Sequence, residues 1–203
     1  MGAGVLDGNF AHVSGTFDLD RKKGTIDYVT PVKVAVQSED FEDEGIELIG
    51  LDGADQQIFD KKVNPQRNSC APHAQSGTFD EYVPVSPQLR RIKLMIKGVE
   101  AAQFARGASV PSGTVAMGGP NPGSPNRFTL DAAHTLAPSP GVTYTVQAKA
   151  EHEPNWQTIA VGLPIPSTDI DMNQFPGAKS VSVRVLQSDG FSESKVFEDK
   201  KTF

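Results

Sequence analysis

The sequence contains a single cysteine, Cys70, among its 203 residues. An internal disulfide is therefore impossible, and cysteine pairing gives no evidence for or against an oxidising compartment. Aromatic residues are also scarce: they make up 7% of the chain, with one tryptophan and three tyrosines. This scarcity counts against a glycosidase, because a sugar-binding cleft is lined with aromatic side chains.

The sequence also lacks long segments that are free of Gly and Pro. The chain has 19 glycines and 15 prolines, and no more than 13 residues separate one Gly or Pro from the next. Because Gly costs about 1 kcal/mol and Pro about 3 kcal/mol inside a helix, a long helix bundle is excluded. No apolar run approaches the roughly 20 residues of a membrane-spanning helix, so we expect no membrane span.

An excess of positive charge is also lacking, since 19 Lys and Arg stand against 25 Asp and Glu for a net charge of −6. This balance argues against a nucleic-acid partner, which needs clustered cations. The first six residues show neither the basic nor the apolar stretch of a secretory signal. Either the protein is cytoplasmic, or these residues begin a fragment of a longer chain.

The dominant positive signal is apolar residues that alternate with polar ones. Alternation with period two buries one face of a segment only when the segment is an extended strand. The pattern occurs at 13–19, 32–36, 92–97, 144–150, 169–172 and 181–185. Several short strands separated by turn residues predict an all-β fold with two antiparallel β-sandwich domains in tandem.

One segment, 98–106, also fits a helix of about two turns. It follows the strand pattern at 92–97 directly, with only Gly98 as a break. We therefore interpret it as the return strand of a hairpin, and a short helix is the alternative.

The domain boundary is predicted at the sharpest change in composition. Six of the eight residues at 118–125 are Gly or Pro, so we expect neither a regular strand ladder nor a helix there. We predict an N-terminal sandwich at 1–112, a linker at 113–125 and a second sandwich at 126–203. The alternative is that the Gly/Pro-rich segment is the irregular entry to the second domain.

Four stretches of the second part have a recognisable order and spacing. They are Tyr144-Thr145-Val146-Gln147, the Trp-bearing stretch 155–163, the polar stretch 168–177 and the closing pair around Ser188-Asp189-Gly190-Phe191. Together they resemble a fibronectin-type-III or immunoglobulin-like sandwich of bacterial secreted multidomain proteins. The stretches 13–18, 46–53, 77–79 and 91–94 are similar, more faintly, to the sandwich that often precedes such a module.

The resemblance implies that both sandwiches form the C-terminal tail of a longer chain. The upstream part of such a chain is a zinc-peptidase-like or adhesin-like region. No His-Glu-x-x-His stretch occurs in this sequence, so no peptidase residue is carried over to it.

A thiol and an imidazole lie three residues apart in the segment Cys70-Ala71-Pro72-His73. They could supply half of a zinc site, but a structural zinc needs about four ligands. The other histidines, His12, His134 and His152, are scattered. We interpret the segment as a polar loop, and no Gly-x-Ser-x-Gly motif offers a serine nucleophile instead.

Clustered carboxylates are the other candidates for a cation site, since calcium takes six to eight oxygens. The candidates are Asp18 with Asp20, the run Glu39–Glu44, Asp169 with Asp171, and Asp189. The two pairs are interpreted as solvent-facing positions on strands. The run Glu39–Glu44 is interpreted as a solvated loop, with cation binding as the alternative.

Trp156 is either a core residue or an exposed platform for a sugar ring. The resemblance places it in the core of the second sandwich, and we expect a core position on that ground.

These observations predict a non-catalytic accessory or spacer region, which positions or stabilises a neighbouring domain. The resemblance implies that it belongs to a larger bacterial protein, which is extracellular or lies at the cell surface. The alternative is a module that binds a cell-surface glycan or a protein through loops at the end of a sandwich. No catalytic residue, cofactor or metal site is predicted.

Overall fold

The structure is a computed structural model that describes residues 5–37, 41–67, 70, 73–108, 115–121, 123–132 and 138–202. Within these residues, every regular element is a β-strand except one 3-10 helix, Met172–Gln174. The chain divides into two compact units. The first contains the described residues up to Arg106 together with Gly190–Ser192, and the second contains the rest. No helix in the described part of the chain is long and apolar enough to cross a membrane.

The first unit is a sandwich of seven strands. These are β1 (Val5–Asp18), β2 (Lys23–Gln37), β3 (Ile46–Leu51), β4 (Gln57–Lys62), β5 (Ser76–Pro84), β6 (Arg91–Ile96) and β7 (Val99–Ala105). One sheet has the order β2-β1-β5 and the other has the order β4-β3-β6-β7, and all pairs are antiparallel.

The core of this sandwich follows the predicted alternation. Ile92, Leu94 and Ile96 of β6 are fully buried, whereas the residues between them are partly exposed. Val13 and Phe17 of β1 belong to the same apolar cluster. Each such side chain contributes roughly 1.5–3 kcal/mol by leaving water, so the buried faces of these strands hold the two sheets together. The segment 32–36 differs, because it lies on the edge strand β2 and its valines at 32 and 34 are only partly buried.

The segment 98–106 forms a strand, as predicted. β6 and β7 join through a two-residue turn in which Lys97 and Gly98 have φ of 47° and 74°. Positive φ at both central positions fits the twist of a tight hairpin, and this excludes the helical alternative.

The second unit is also a seven-stranded sandwich. Its strands are β8 (Val115–Asn121), β9 (Ser124–Ala132), β10 (Thr143–Ala150), β11 (Gln157–Leu163), β12 (Thr168–Asp171), β13 (Ser180–Ser188) and β14 (Glu193–Thr202). The sheet orders are β12-β9-β8 and β11-β10-β13-β14, again antiparallel throughout. Tyr144, Val146 and Ala148 of β10 pack with Val183 and Val185 of β13 in its core.

The Gly/Pro-rich segment differs from the expected linker at 113–125. The two units divide between Arg106 and Gly107, ahead of this segment. The segment carries β8 and the first residues of β9, which pair with register shifts on both sides of Pro120. Because β8 is an edge strand, a proline without an N–H group removes no bond to a further neighbour.

The two sandwiches share a division into three and four strands but differ in one pairing. In the second unit, the second strand (β9) is central in the three-stranded sheet, whereas in the first unit the first strand (β1) is central. The fold class is therefore as predicted: all-β, with two antiparallel immunoglobulin- or fibronectin-type-III-like sandwiches in tandem, which need not share an exact strand order.

Candidate functional site

A group of titratable and aromatic side chains that contact one another lies on the outer face of the sheet β2-β1-β5. His12 lies on the central strand β1, directly opposite Tyr82 of β5. Ser14, two residues further on the same face, lies opposite Asp80 and Tyr28. Opposite and diagonal residues of an antiparallel sheet are close enough to interact, so strand register alone gathers these side chains.

The contacts of His12 define the geometry of this aromatic site, which consists of His12, Tyr28, Asp80 and Tyr82. The His12 ring is stacked on Tyr82 with centroids 5.2 Å apart and 29° between the planes. It meets Tyr28 edge to face at 6.2 Å. His12 Nε2 contacts a carboxylate oxygen of Asp80, which fixes the ring's orientation. The His12 side chain is 24% exposed and that of Asp80 is 45% exposed, so ligands can reach the group from solvent.

A histidine held by a carboxylate is two thirds of a serine-protease-like triad, and Ser14 lies on the same face. In such a triad the carboxylate orients one ring nitrogen and the other accepts the serine proton. The hydrogen bonds of the described residues include none between Ser14 and His12. Among the described residues, the site therefore contains an imidazole oriented by a carboxylate, without a serine hydroxyl bonded to it.

Two carboxylates of the acidic run pair with cations of the protein itself. Arg67 binds Glu44 through two guanidinium nitrogens, one of them at 2.7 Å. Asp43 lies 2.6 Å from Lys62 Nζ, and this bond, with the backbone N–H of Gly45, lowers the Asp43 pKa. Glu39 and Asp40 lie outside the described residues. The carboxylates of Asp43 and Glu44 thus serve structural ion pairs.

The carboxylate pairs also serve local structure. Asp18 ends β1 and accepts hydrogen bonds from the N–H groups of Asp20 and Arg21, at 3.1 and 2.9 Å. Asp20 lies in the turn rather than on a strand, contrary to the expectation of two strand positions.

In β12, Asp169 accepts a bond from Thr129 at 2.7 Å. Asp171 accepts one from the N–H of Asn173 at 2.9 Å and lies 3.1 Å from Arg127. The N–H of Asn173 is the main cause of a lowered Asp171 pKa. Asp189 lies in the connection between β13 and β14, where Gly190 has the positive φ expected of a turn.

Cys70 and His73 are both exposed in the connection between β4 and β5. Among the described residues, no group of three or more His, Cys, Asp or Glu side chains is placed to hold a metal ion. The structure adds no third ligand to this pair within that part of the chain.

Trp156 lies on the outer face of the sheet β11-β10-β13-β14. Its ring centroid is 4.3 Å from the guanidinium carbon of Arg184 and 5.1 Å from Lys149 Nζ. Arg184 and Lys149 occupy the strand positions between buried residues, so their side chains point away from the core. The prediction of a core position for Trp156 is therefore wrong.

A groove of about 660 Å³ lies beside the 3-10 helix of the second unit, with Phe128 and Phe175 in its lining. Arg127 and Lys201 also line it. Arg127 is paired with Asp171, and Lys201 donates a hydrogen bond to the Gly118 carbonyl at 3.2 Å. Both cations thus have partners within the protein, and the residues that line the groove do not indicate a particular ligand.

The aromatic site is not among the sites predicted from the sequence, in which His12 is one of four scattered histidines. Tyr28, Asp80 and Tyr82 are not among the residues predicted to be functional. The one available signal was that His12 and Ser14 occupy polar positions of an alternating strand. Their partners depend on the register between β1 and β5, which are about 68 residues apart along the chain.

No protein-family model matches the sequence, and no curated protein matches it. Among solved structures, the FN1-FN3 domains of chicken CNTN1 are similar, with a TM-score of 0.36 and 11% sequence identity. That match covers 98% of this chain and 63% of the other, so this chain spans less than two thirds of its length. The fold is accordingly established from the strand order and register described above.

Proposed function

We propose that this chain is a non-catalytic accessory or spacer region of a larger extracellular bacterial protein, in which it positions or stabilises a neighbouring domain. The observation that carries the proposal is the scatter of large exposed hydrophobic residues. Those in the described part of the chain are Tyr28, Ile58, Val99 and Val161. Each lies on a different edge strand, namely β2, β4, β7 and β11.

Hydrophobic residues scattered singly over a surface are normal for a folded domain, whereas a binding surface for proteins usually gathers them into a patch of several hundred Å². The internal ion pairs support the same conclusion, because Asp43 and Glu44 of the acidic run pair with Lys62 and Arg67. Both features favour an accessory or spacer region, which acts through its folded shape and not through a ligand-binding surface.

The absence of catalysis is tested directly on the purified chain. Peptide, ester and glycoside substrates should be hydrolysed no faster than in buffer, and the His12→Asn variant should behave identically. An activity that His12→Asn abolishes while circular dichroism is unchanged would contradict the proposal and would make the His12–Asp80 pair a catalytic base.

A second candidate function, glycan or protein binding, is favoured by the aromatic site on β2-β1-β5. Two tyrosine rings and an imidazole lie together with a carboxylate acceptor on an accessible sheet face. A screen of neutral oligosaccharides against the parent chain and Tyr82→Ala tests it. The Tyr144→Phe variant is the matched control, because Tyr144 is buried in the other unit.

A further inference from the structure

The outer face of the sheet β11-β10-β13-β14 gathers cationic side chains. Lys149 lies on β10 and Arg184 on β13, both at positions between buried residues. On β14, Glu198 lies opposite Arg184, Lys200 opposite Ser182, Lys195 opposite Leu186 and Glu193 opposite Ser188. Because opposite residues of an antiparallel pair share a face, these side chains point the same way. We call this group the cationic face: Lys149, Arg184, Lys195 and Lys200, with the carboxylates Glu193 and Glu198.

Charge in the second unit is segregated. The cationic face holds four of the unit's seven Lys and Arg residues and two of its nine Asp and Glu residues, for a net charge of +2. The remainder of the unit carries −4, and the whole chain −6. A face of opposite sign to the rest of its domain directs an anionic ligand to one place.

The charged side chains on this face interact electrostatically with one another. The Glu198 pKa is lowered chiefly by its bond to Lys195, and Arg184 and Lys149 contribute through the same surface. One carboxylate therefore lies within the field of three cations.

Two of the cations are held in place before any ligand arrives. The Arg184 guanidinium lies 4.3 Å from the centre of the Trp156 ring, and its Nε donates to Gln147 Oε1 at 2.8 Å. Lys149 Nζ lies over the same ring, and Gln147 Nε2 donates to Thr158 at 3.2 Å. Fixing long side chains in advance lowers the entropy cost of binding.

We propose that the cationic face binds an acidic polysaccharide, with Lys149, Arg184 and Lys200 contacting the carboxylates of successive sugars and Gln147 and Thr158 contacting hydroxyl groups. Neighbouring strands lie about 4.8 Å apart and alternate residues about 6.8 Å apart, so the cations are spaced on the scale of single sugar rings. This role goes beyond that of a spacer and stands independently of the aromatic site.

Other polyanions fit this face less well. Duplex DNA carries one charge per about 1.7 Å, and an acidic domain repels so dense a charge more strongly than a polysaccharide with about one carboxylate per sugar. A protein partner needs an apolar centre in its interface. On this face, Leu186 and Trp156 are the apolar side chains among the outward positions described above.

The test is binding of polygalacturonate to the whole chain at low salt. Binding is measured by calorimetry and by the fluorescence of Trp156, the only tryptophan. The parent chain should bind, and binding should weaken as salt is added. Lys149→Gln with Lys200→Gln should weaken it about tenfold. The matched control, Lys33→Gln with Lys179→Gln, removes two exposed lysines outside the face and should leave it unchanged.

Glu198→Gln gives a test in the opposite direction, because it removes a carboxylate from the face and should tighten binding a few-fold. All variants are checked by circular dichroism. No binding by the parent chain, equal weakening by both lysine pairs, or equal binding of neutral dextran would overturn the proposal. Equal or tighter binding of single-stranded DNA or polyglutamate would overturn the choice of a polysaccharide.

Discussion

The position of Trp156 on the outer face of the second sandwich leads to a quantitative prediction about its energetic coupling to Arg184. A cation over an indole ring is worth about 0.5–1 kcal/mol when exposed and about 2 kcal/mol when desolvated. The guanidinium carbon lies 4.3 Å from the ring centroid and the side chain of Trp156 is partly buried. We therefore expect a coupling energy of about 1 kcal/mol between the two residues.

The coupling is measured with the single variants Trp156→Leu and Arg184→Gln and their combination. Arg184→Gln should cost about 2 kcal/mol, because it also removes the hydrogen bond to Gln147. Hydrogen exchange in peptides from β10 and β13 reports the free energy of unfolding of this unit specifically. The double variant should be about 1 kcal/mol more stable than the sum of the single losses predicts, a factor of about five in exchange rate.

A control cycle pairs Trp156→Leu with Lys195→Gln, since Lys195 binds Glu198. This pair should be additive within about 0.3–0.5 kcal/mol. Additivity of Trp156 with Arg184 as well would refute the outer-face geometry and would restore the core position expected from the sequence.

Three further predictions concern stability. Gly15→Ala should destabilise the first unit by about 3 kcal/mol or more in thermal melts, because its Cβ would lie 2.0 Å from a carbonyl oxygen of β2. Arg67→Met should cost about 1–2 kcal/mol, because it removes hydrogen bonds to Glu44 and to the Ala74 carbonyl, whereas the exposed Lys62→Gln should cost less than about 1 kcal/mol. Two backbone N–H groups lower the Glu151 pKa from 4.5 to about 2. Its stabilisation is therefore complete above pH 4.5 and is lost as pH falls towards 2, a loss that Glu151→Gln should reduce.

The sequence predicted those parts of the fold that depend on local alternation. The alternation at 92–97 and 181–185 correctly predicted which side chains are buried, because a strand with one buried sheet face has apolar residues at every second position. The linker at 113–125 was predicted from composition, and the structure has β8 and the first residues of β9 there. An edge strand tolerates Pro and Gly because only one side of it is paired, so an abundance of these residues does not separate an edge strand from a linker.

The aromatic site and the cationic face could not be predicted for a related reason. Each depends on the register between strands that are distant in sequence, such as His12 opposite Tyr82 or Arg184 opposite Gln147. Trp156 lies one residue before β11 begins, so alternation assigned it to neither face. Its position on the outer face of the sheet follows from its contacts with Lys149 and Arg184.

The central claim is that this chain acts through its fold as an accessory region, and replacement within the full-length protein tests it most directly. The chain is exchanged for an unrelated tandem of two seven-stranded sandwiches of similar length, and the activity of the neighbouring domain is measured beside that of a deletion. The account predicts that the deletion impairs the neighbouring domain and that the replacement restores it. A folded replacement that leaves the protein as impaired as the deletion does would contradict the account, and would show that specific surface residues of this chain are required.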